Sequence, residues 1–537
     1  MLKRPRIQAS WLIVMSALWL TLGYNSLFAQ AVATSIPHLQ LSLAVALGLL
    51  LFALHLLLVE CLWWPKLGKV LLAMVFISSA LAYHFMTSYG VVINADMMVN
   101  VVETDPHEAS ALLSFALVKR LLFFGMIPTL ILFAVQIVPQ RPRSFMMHKI
   151  VRVVVGIGLI ATLALTSYQP LASVLRNHRD LRYHTIPTNW VGAIQSVART
   201  KLSTPPQFEN LTQGITPSVT TDEPQVLVLV LGETARTDHF GLFGYNRQTT
   251  PELAKIAANA DLVAFSQVQS CGTATAISVP CMFSWLDRNS YEPSKAQYSS
   301  NLLDFFKAAG FAVRWIDNNS GCKHVCDRVE HVEIERERYP QWCQNRDYCD
   351  DRVLLEYLRE SITEVQQNTV IVLHMIGSHG PAYSRRSSAD VAQFTPQCET
   401  AELQLCDDQQ INNSYDNSIL TTDKVIAGVI HELAQHPIAG AMLYVSDHGE
   451  SLGEQGLYLH GMPYWLAPQS QTHVPMIFWS DEQFRQTYQT EVDCLQQQQQ
   501  QAISHDHLFH TLTGLFTIDT PVYQAKLDLS HACERIG

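Results

Sequence analysis

The sequence predicts a five-helix transmembrane domain followed by a periplasmic α/β domain with a mostly parallel central sheet. Three observations carry that prediction. Five long apolar runs fill the first 168 of the 537 residues. Ten of the eleven cysteines lie beyond residue 270. Three uninterrupted apolar segments of strand length recur in the second half, each followed by polar side chains. A chain this long exceeds the usual single domain, so at least two units with separate cores are expected.

The apolar runs cover about 11 to 28, 41 to 63, 70 to 92, 120 to 138 and 151 to 168. Each is long enough as a helix to cross roughly 30 Å of hydrocarbon. Lys3, Arg4 and Arg6 imitate the start of a signal peptide, but the first run leads into further spans rather than into a secreted domain. Basic residues in short loops set orientation. Lys3, Arg4 and Arg6, then Lys66 and Lys69, then Arg141, Arg143, His148 and Lys149 fall on one side, which puts the N-terminus in the cytoplasm. The acidic segment 93–112 lies opposite, and after five crossings everything from about Pro170 is outside. The expected domains are 1–168 for the membrane, 169–224 for a periplasmic bridge, and 225–537 for catalysis. Within the bridge, 190–197 has helical periodicity and reads equally as a helix on the membrane surface or a plain linker helix.

Cysteine usage agrees with export. Cys61 lies in an apolar run, whereas Cys271/Cys281, Cys322/Cys326, Cys343/Cys349 and Cys398/Cys406 form close pairs, leaving Cys494 and Cys533. An even number at short spacings in an exported domain reads as disulfides. Cys322-Lys-His-Val-Cys326 superficially resembles zinc-ligand spacing, but an oxidising compartment favours disulfides. A net charge of −11 carries no nucleic-acid footprint, and no obligate protein partner is evident. Glutamines 496 to 501 read as a solvated loop.

The soluble core opens with an apolar strand at 225–231, followed by others at 369–374 and 440–446, with helical segments at 351–367 and 416–436. Strands buried on both faces have this composition. In such sheets functional groups gather at the carboxyl ends of the strands. Here those ends carry Gly232-Glu233-Thr234-Ala235-Arg236, Gly377-Ser378-His379-Gly380 and Asp447-His448-Gly449-Glu450.

A carboxylate directly after a buried strand is costly unless solvated or paired with a cation, so Glu233 reads as a metal ligand or as a surface carboxylate. Asp447 and His448 add one oxygen and one imidazole nitrogen at the same edge, and three such ligands suit a catalytic zinc. Thr275 sits in a hydroxyl-rich segment between Cys271 and Cys281 that opens a helix near Ala274. It reads either as a helix cap or as a nucleophile activated by a metal at a helix N-terminus.

Four motifs taken together resemble the phosphoethanolamine–lipid A transferases, which include the mobile colistin-resistance enzymes. They are Gly-Glu-Thr-Ala-Arg at 232–236, Ser-Cys-Gly-Thr-x-Thr-Ala-x-Ser-Val-Pro-Cys-Met at 270–282, His-x-x-Gly-Ser-His-Gly-Pro at 374–381 and Ser-Asp-His-Gly-Glu-Ser-Leu-Gly-Glu at 446–454. The resemblance spans nearly the whole chain, five-span anchor included. It implies an alkaline-phosphatase/sulfatase-like fold and a Zn2+ ion held by Glu233, Thr275, Asp447 and His448. Thr275 is then the nucleophile that becomes phosphoethanolamine-bearing. His379 and His460 match histidines beside that zinc, Ser320 and Lys323 a Ser-x-x-Lys near the donor headgroup, and Asn100, Thr104 and Glu108 an Asn-x3-Thr-x3-Glu pattern. Spacings of four would put the last three on one helix face, but Pro106 interrupts a helix there.

The implied reaction moves phosphoethanolamine from phosphatidylethanolamine to a phosphate of lipid A in lipopolysaccharide, conferring polymyxin resistance. Transfer to core heptose, Kdo or another envelope glycan, and hydrolysis of the phosphodiester by a membrane-tethered enzyme, stand as alternatives. A sulfatase needs a Cys- or Ser-x-Pro-x-Arg nucleophile motif, which Cys271-Gly-Thr-Ala-Thr does not match.

Overall fold

The computed structural model describes residues 4–36, 39–104, 109–110, 112–202, 205–215, 223–258, 262–343 and 348–535. They form two compact units, Met1–Met98 with Leu113–Ala198, and Val99–Leu112 with Arg199–Gly537.

The first stretch of chain carries the helices α1 (Ala9–Tyr24), α2 (Ser26–Ser35), α3 (Leu41–Leu62), α4 (Gly68–Tyr89), α5 (Ala95–Glu103), α6 (Phe115–Ala134), α7 (Pro142–Thr166), α8 (Tyr168–Asn177) and α9 (Thr188–Leu202). Among the described residues α3, α4, α6 and α7 are long and apolar enough to cross a membrane, and α1 with α2 makes a fifth span if the pair, bent by 55°, is counted as one. The run expected at about 11 to 28 therefore extends to Ser35 and bends in the middle. The cause is Asn25, whose side-chain amide donates to Leu20 O (2.7 Å) and Ile186 O (2.8 Å) and whose carbonyl accepts from Ile186 N (2.9 Å). The span expected at 120 to 138 begins earlier and stops at Ala134, because Gln136–Ile137 leaves the helix to pair with Arg6–Ile7.

Glu60 on α3 is fully buried in this unit. Arg152 on α7 grips it with Nε and with Nη2 (3.3 Å), while Nη1 reaches Ser10 Oγ on α1 (2.7 Å). A charge pair in hydrocarbon is tolerated only when each partner satisfies the other.

The second unit is built on an eight-stranded sheet. In chain order the strands are β1 (Gln225–Gly232), β2 (Leu262–Gln269), β3 (Ala312–Asp317), β4 (Glu330–Glu333), β5 (Thr369–His374), β6 (Ala439–Ser446), β7 (His473–Ser480) and β8 (Ile503–Ser504). They lie in the order β8-β2-β7-β6-β1-β5-β3-β4. Only β7 is reversed, running antiparallel to both β6 and β2. The three expected strands are the central trio β6-β1-β5. Every residue of β1 is buried, and its alternation divides two cores: Leu227, Leu229 and Leu231 face one, Val226, Val228 and Val230 the other. Helices that serve the site are α10 (Thr275–Met282), α11 (Val353–Thr363) and α12 (Asp408–Gln435).

All ten cysteines beyond residue 270 are paired: Cys271–Cys281, Cys322–Cys326, Cys343–Cys349, Cys398–Cys406 and Cys494–Cys533. The glutamine tract departs from expectation. Its first two residues close the helix Gln489–Gln497, because Leu495 is buried and Cys494 is tied to Cys533.

Removing one partner of the buried pair leaves the other charge stranded. Arg152→Met is expected to cost about 3 kcal/mol, read as a lowered unfolding midpoint in detergent. Glu60→Gln combined with Arg152→Met should recover most of the loss. Equal destabilisation in the single and double variants would contradict this account of Glu60.

Candidate metal and nucleophile centre

The parallel register of β1 and β6 delivers the first two groups. Gly232 lies opposite Ser446, so Glu233 and Asp447 leave adjacent strand ends side by side, with Asp447 N bonded to Gly232 O (3.0 Å). Glu233, Asp447 and His448 are all buried. His448 Nε2 lies 3.3 Å from Glu233 Oε1 and 3.4 Å from Asp447 Oδ2. Its Nδ1 is 2.9 Å from Gly449 O, so an Nδ1–H donated there leaves the Nε2 lone pair facing the carboxylates.

Thr275 is the first residue of α10, after Ala274. Its hydroxyl donates to Glu233 Oε2 (2.9 Å) and lies 3.3 Å from His448 Nε2. Three ties hold this turn. Cys271–Cys281 spans it, Ser278 Oγ donates to Asp447 O (2.5 Å), and Thr273 exchanges hydrogen bonds with Gly461 N (2.7 Å) and Met462 O (2.6 Å).

The remaining hydrogen-bonding capacity points to a cation. Asp447 Oδ1 accepts from Thr234 N (3.2 Å) and His448 N (2.7 Å), and Glu233 Oε2 accepts from Thr275 and from Asn319 Nδ2 (3.0 Å). The other oxygens, Glu233 Oε1 and Asp447 Oδ2, are buried with no hydrogen-bond partner. Ligand atoms of Glu233, Asp447 and His448 lie within 4.8 Å of one another, so this donor set fits a metal ion. The electrostatics agree. Burial and the Glu233 charge push the Asp447 carboxyl up. Burial opposes ionisation of Glu233 too, but the close approach and charge of His448 outweigh it and hold that carboxyl well below the usual range. Against burial, the charges of Asp447 and Glu233 raise His448 to about 10. The cluster draws positive charge onto its own imidazole.

His379 and His460 flank the centre. The rings of His448 and His460 are 4.5 Å apart, and those of His379 and His460 are 5.3 Å apart. His460 Nδ1 bonds Glu450 Oε2 (2.7 Å), whose other oxygen accepts from Tyr383 OH (2.6 Å), and His448, Glu450 and His460 make a second group able to hold a metal. Ser320 and Lys323 lie together, with Lys323 Nζ donating to Ser320 O (2.9 Å) and Oγ (3.1 Å) beside a surface cavity of about 560 Å³. Asn100 and Thr104 are one turn apart at the end of α5, joined by Thr104 N and Oγ1 to Asn100 O (both 2.8 Å). Glu108 lies outside the described residues.

Sequence reasoning missed several supports. Asn319 bridges Glu233 and Met375 O (2.8 Å). Asp351 holds the loop behind them, accepting from Ile376 N (2.9 Å), Gly377 N (2.8 Å) and Asn318 Nδ2 (2.7 Å). The polar run Asp317-Asn-Asn-Ser320, which begins on the last residue of β3, was the available signal. Gly377 has a φ of +51°, and a Cβ there would sit 2.5 Å from Glu233 O, so the loop packs on Glu233 only with glycine. Thr234, next to Glu233, also has a positive φ of 54°, a strained backbone fixed by its neighbours.

The comparisons with known proteins agree over the whole chain. A family model described as phosphoethanolamine transferase EptA/EptB matches residues 51–202, and one described as sulfatase matches 225–518. Phosphoethanolamine transferase EptA of Escherichia coli K12 is 36% identical over 100% of this chain and 99% of its own. Phosphatidylethanolamine transferase Mcr-1 of Escherichia coli is 34% identical over 94% of each. The structure of integral membrane lipooligosaccharide phosphoethanolamine transferase A from Neisseria meningitidis superposes with a TM-score of 0.93 at 34% identity, covering 98% of this chain and 99% of that one.

His505 supplies a pH test of the frame around Thr275. Its Nδ1 accepts from Cys271 N (3.1 Å) and its Nε2 lies 3.0 Å from Ser446 O. Burial pushes the ring from 6.5 down to about 3. With the folded value depressed, its stabilisation is complete above pH 6.5 and is lost as pH falls toward 3, by up to ~1.4 kcal/mol per pH unit. The unfolding midpoint should drop from pH 7 to pH 5, and His505→Gln should flatten that slope. An unchanged slope in the variant would contradict it.

Proposed function

The chain belongs to the phosphoethanolamine transferase family that includes EptA, and from that membership we propose the substrates and the residues that act on them. Phosphoethanolamine passes from phosphatidylethanolamine to a lipid A phosphate by way of an adduct on Thr275, with zinc held by Glu233, Asp447, His448 and Thr275. The observation that carries the reading is the pair of buried, unpartnered oxygens, Glu233 Oε1 and Asp447 Oδ2, within one cluster with the Thr275 hydroxyl.

Nitrogen and oxygen donors of this kind suit zinc. Bound there, zinc supplies positive charge that lowers the pKa of the threonine hydroxyl and offsets charge on the transferring group. The chain does the rest. Glu233 Oε2 already accepts the Thr275 hydrogen and takes that proton as Thr275 Oγ1 bonds to phosphorus and the diacylglycerol oxygen leaves. In the return step a phosphate oxygen of lipid A attacks the same phosphorus and Thr275 recovers its proton. The Glu450 contact fixes Nδ1 of His460, leaving Nε2 to move a proton to or from an entering or leaving oxygen. Ser320 and Lys323 contact the donor headgroup in this reading, and Asn100, Thr104 and Glu108 take part in binding substrate.

Both substrates are lipids, which accounts for membrane-spanning helices on the same chain as the site. The basic residues of the short loops support a cytoplasmic N-terminus, and five disulfides support a catalytic domain, 225–537, in the oxidising periplasm. Ethanolamine carries a cation, so each transfer to lipid A removes net negative charge that a polycationic polymyxin needs.

Incubating the full chain with headgroup-labelled phosphatidylethanolamine should leave label on the Thr275 peptide, identified by mass spectrometry. Thr275→Ala should lose the label and lower transfer by at least about three orders of magnitude. Transfer at the unaltered rate would refute the nucleophile. In cells, lipid A should gain phosphoethanolamine and polymyxin susceptibility should fall. Unmodified lipid A with modified core sugars would refute the acceptor.

A further inference from the structure

The helical unit contains a cavity that the transfer reaction does not account for, of about 500 Å³, within the range of small-ligand sites. One wall is α3, which contributes Leu47, Leu50, Leu51 and Leu54. Those positions follow the i, i+3, i+4, i+7 spacing of one helix face and run about 10 Å along the axis. The rim is of opposite character. His178, Arg179 and Arg182, from the segment after α8, line it. Among the described residues neither arginine has a carboxylate within ion-pairing reach; Arg182 donates to Tyr183 OH (2.6 Å) and lies over the same ring. Arg176, at the last turn of α8, adds a third guanidinium to the segment, and Asp180 is its one acid.

The position of these charges is anomalous. In the orientation proposed above, α3 enters the membrane from the outer face at Leu41 and α7 leaves it at Thr166, so 176–182 lies on the outer side. Basic residues next to spans normally mark the cytoplasmic side, and topology therefore gives no reason for three arginines here. A leucine groove descending into the outer leaflet beneath guanidinium groups has the polarity of one phospholipid: acyl chain below, phosphate above. The excess of cations over the single acid disfavours a zwitterionic headgroup, whose ammonium would face guanidinium.

We propose that this cavity is a binding site for an acidic glycerophospholipid, its phosphate on Arg179 and Arg182 and an acyl chain along the leucine face of α3. The site is separate from the donor and acceptor lipids of the transfer reaction and rests on that reading only for which leaflet it faces.

The test uses the full chain in detergent, delipidated and then exposed to mixed micelles with equal phosphatidylglycerol and phosphatidylethanolamine, with bound lipid read by native mass spectrometry. Wild type should retain one phosphatidylglycerol per chain, at least tenfold over phosphatidylethanolamine. Arg179→Gln with Arg182→Gln should reduce retention tenfold, and so should Leu51→Trp, which fills the groove without altering charge. Equal retention by wild type and the double arginine variant, or preference for phosphatidylethanolamine, overturns the proposal. Labelling of Thr275 is followed in the same preparations. Its persistence in the variants shows that they are folded, and its absence in wild type would count against the transfer reading while leaving lipid retention to decide this one.

Discussion

Two carboxylates and an imidazole, buried within 4.8 Å of one another, impose the constraint on which the rest of the α/β unit depends. Desolvated anions cannot sit side by side at ordinary cost. With Glu233 Oε1 and Asp447 Oδ2 lacking any hydrogen, the chain must supply positive charge or have it supplied. His448 answers part of that demand, as the rise of its pKa records. A divalent cation answers all of it and frees the imidazole to act as a neutral ligand.

The surrounding architecture keeps this expensive arrangement in place. The register between β1 and β6 sets Glu233 and Asp447 at one height. Asn319 and the Gly377 loop close on Glu233 from one side, and the disulfide-braced turn of α10 brings Thr275 from the other. Each brace uses a group that is itself fixed: Asp351 holds the 375–377 loop, and His505 and Ser278 hold the α10 turn against β6. Thr275 thus differs from an ordinary helix cap. Its hydroxyl is spent on a carboxylate from a strand end and makes no cap to its own helix.

Much of this was legible in the sequence because burial on both faces writes itself as continuous apolar runs. The central trio of strands and the polar residues that follow them were read in that way, and the helix opening at Ala274 was read from its small hydroxyl-bearing residues. What escaped detection lacks such a signature. Strand β3 alternates exposure, so Asn319 looked like a loop residue, and Asp351 acts through backbone N–H groups that carry no sequence identity. Asn25 bends the first span by bonding to Ile186, 161 positions away, a partnership no local window contains. The Glu60–Arg152 pair is hidden for the same reason, each charge appearing alone inside an apolar run.

The membrane helices and the α/β unit pose the same physical problem in different solvents, since each buries charge and each must neutralise it. In the helical unit a guanidinium on a neighbouring helix does so. In the α/β unit an ion from outside the chain would do so. Anomalous scattering at the zinc edge, recorded from crystals of the full-length protein, tests this most directly. A strong peak is expected between Glu233 Oε1, Asp447 Oδ2, His448 Nε2 and Thr275 Oγ1. An active protein with no peak among those four atoms would contradict it.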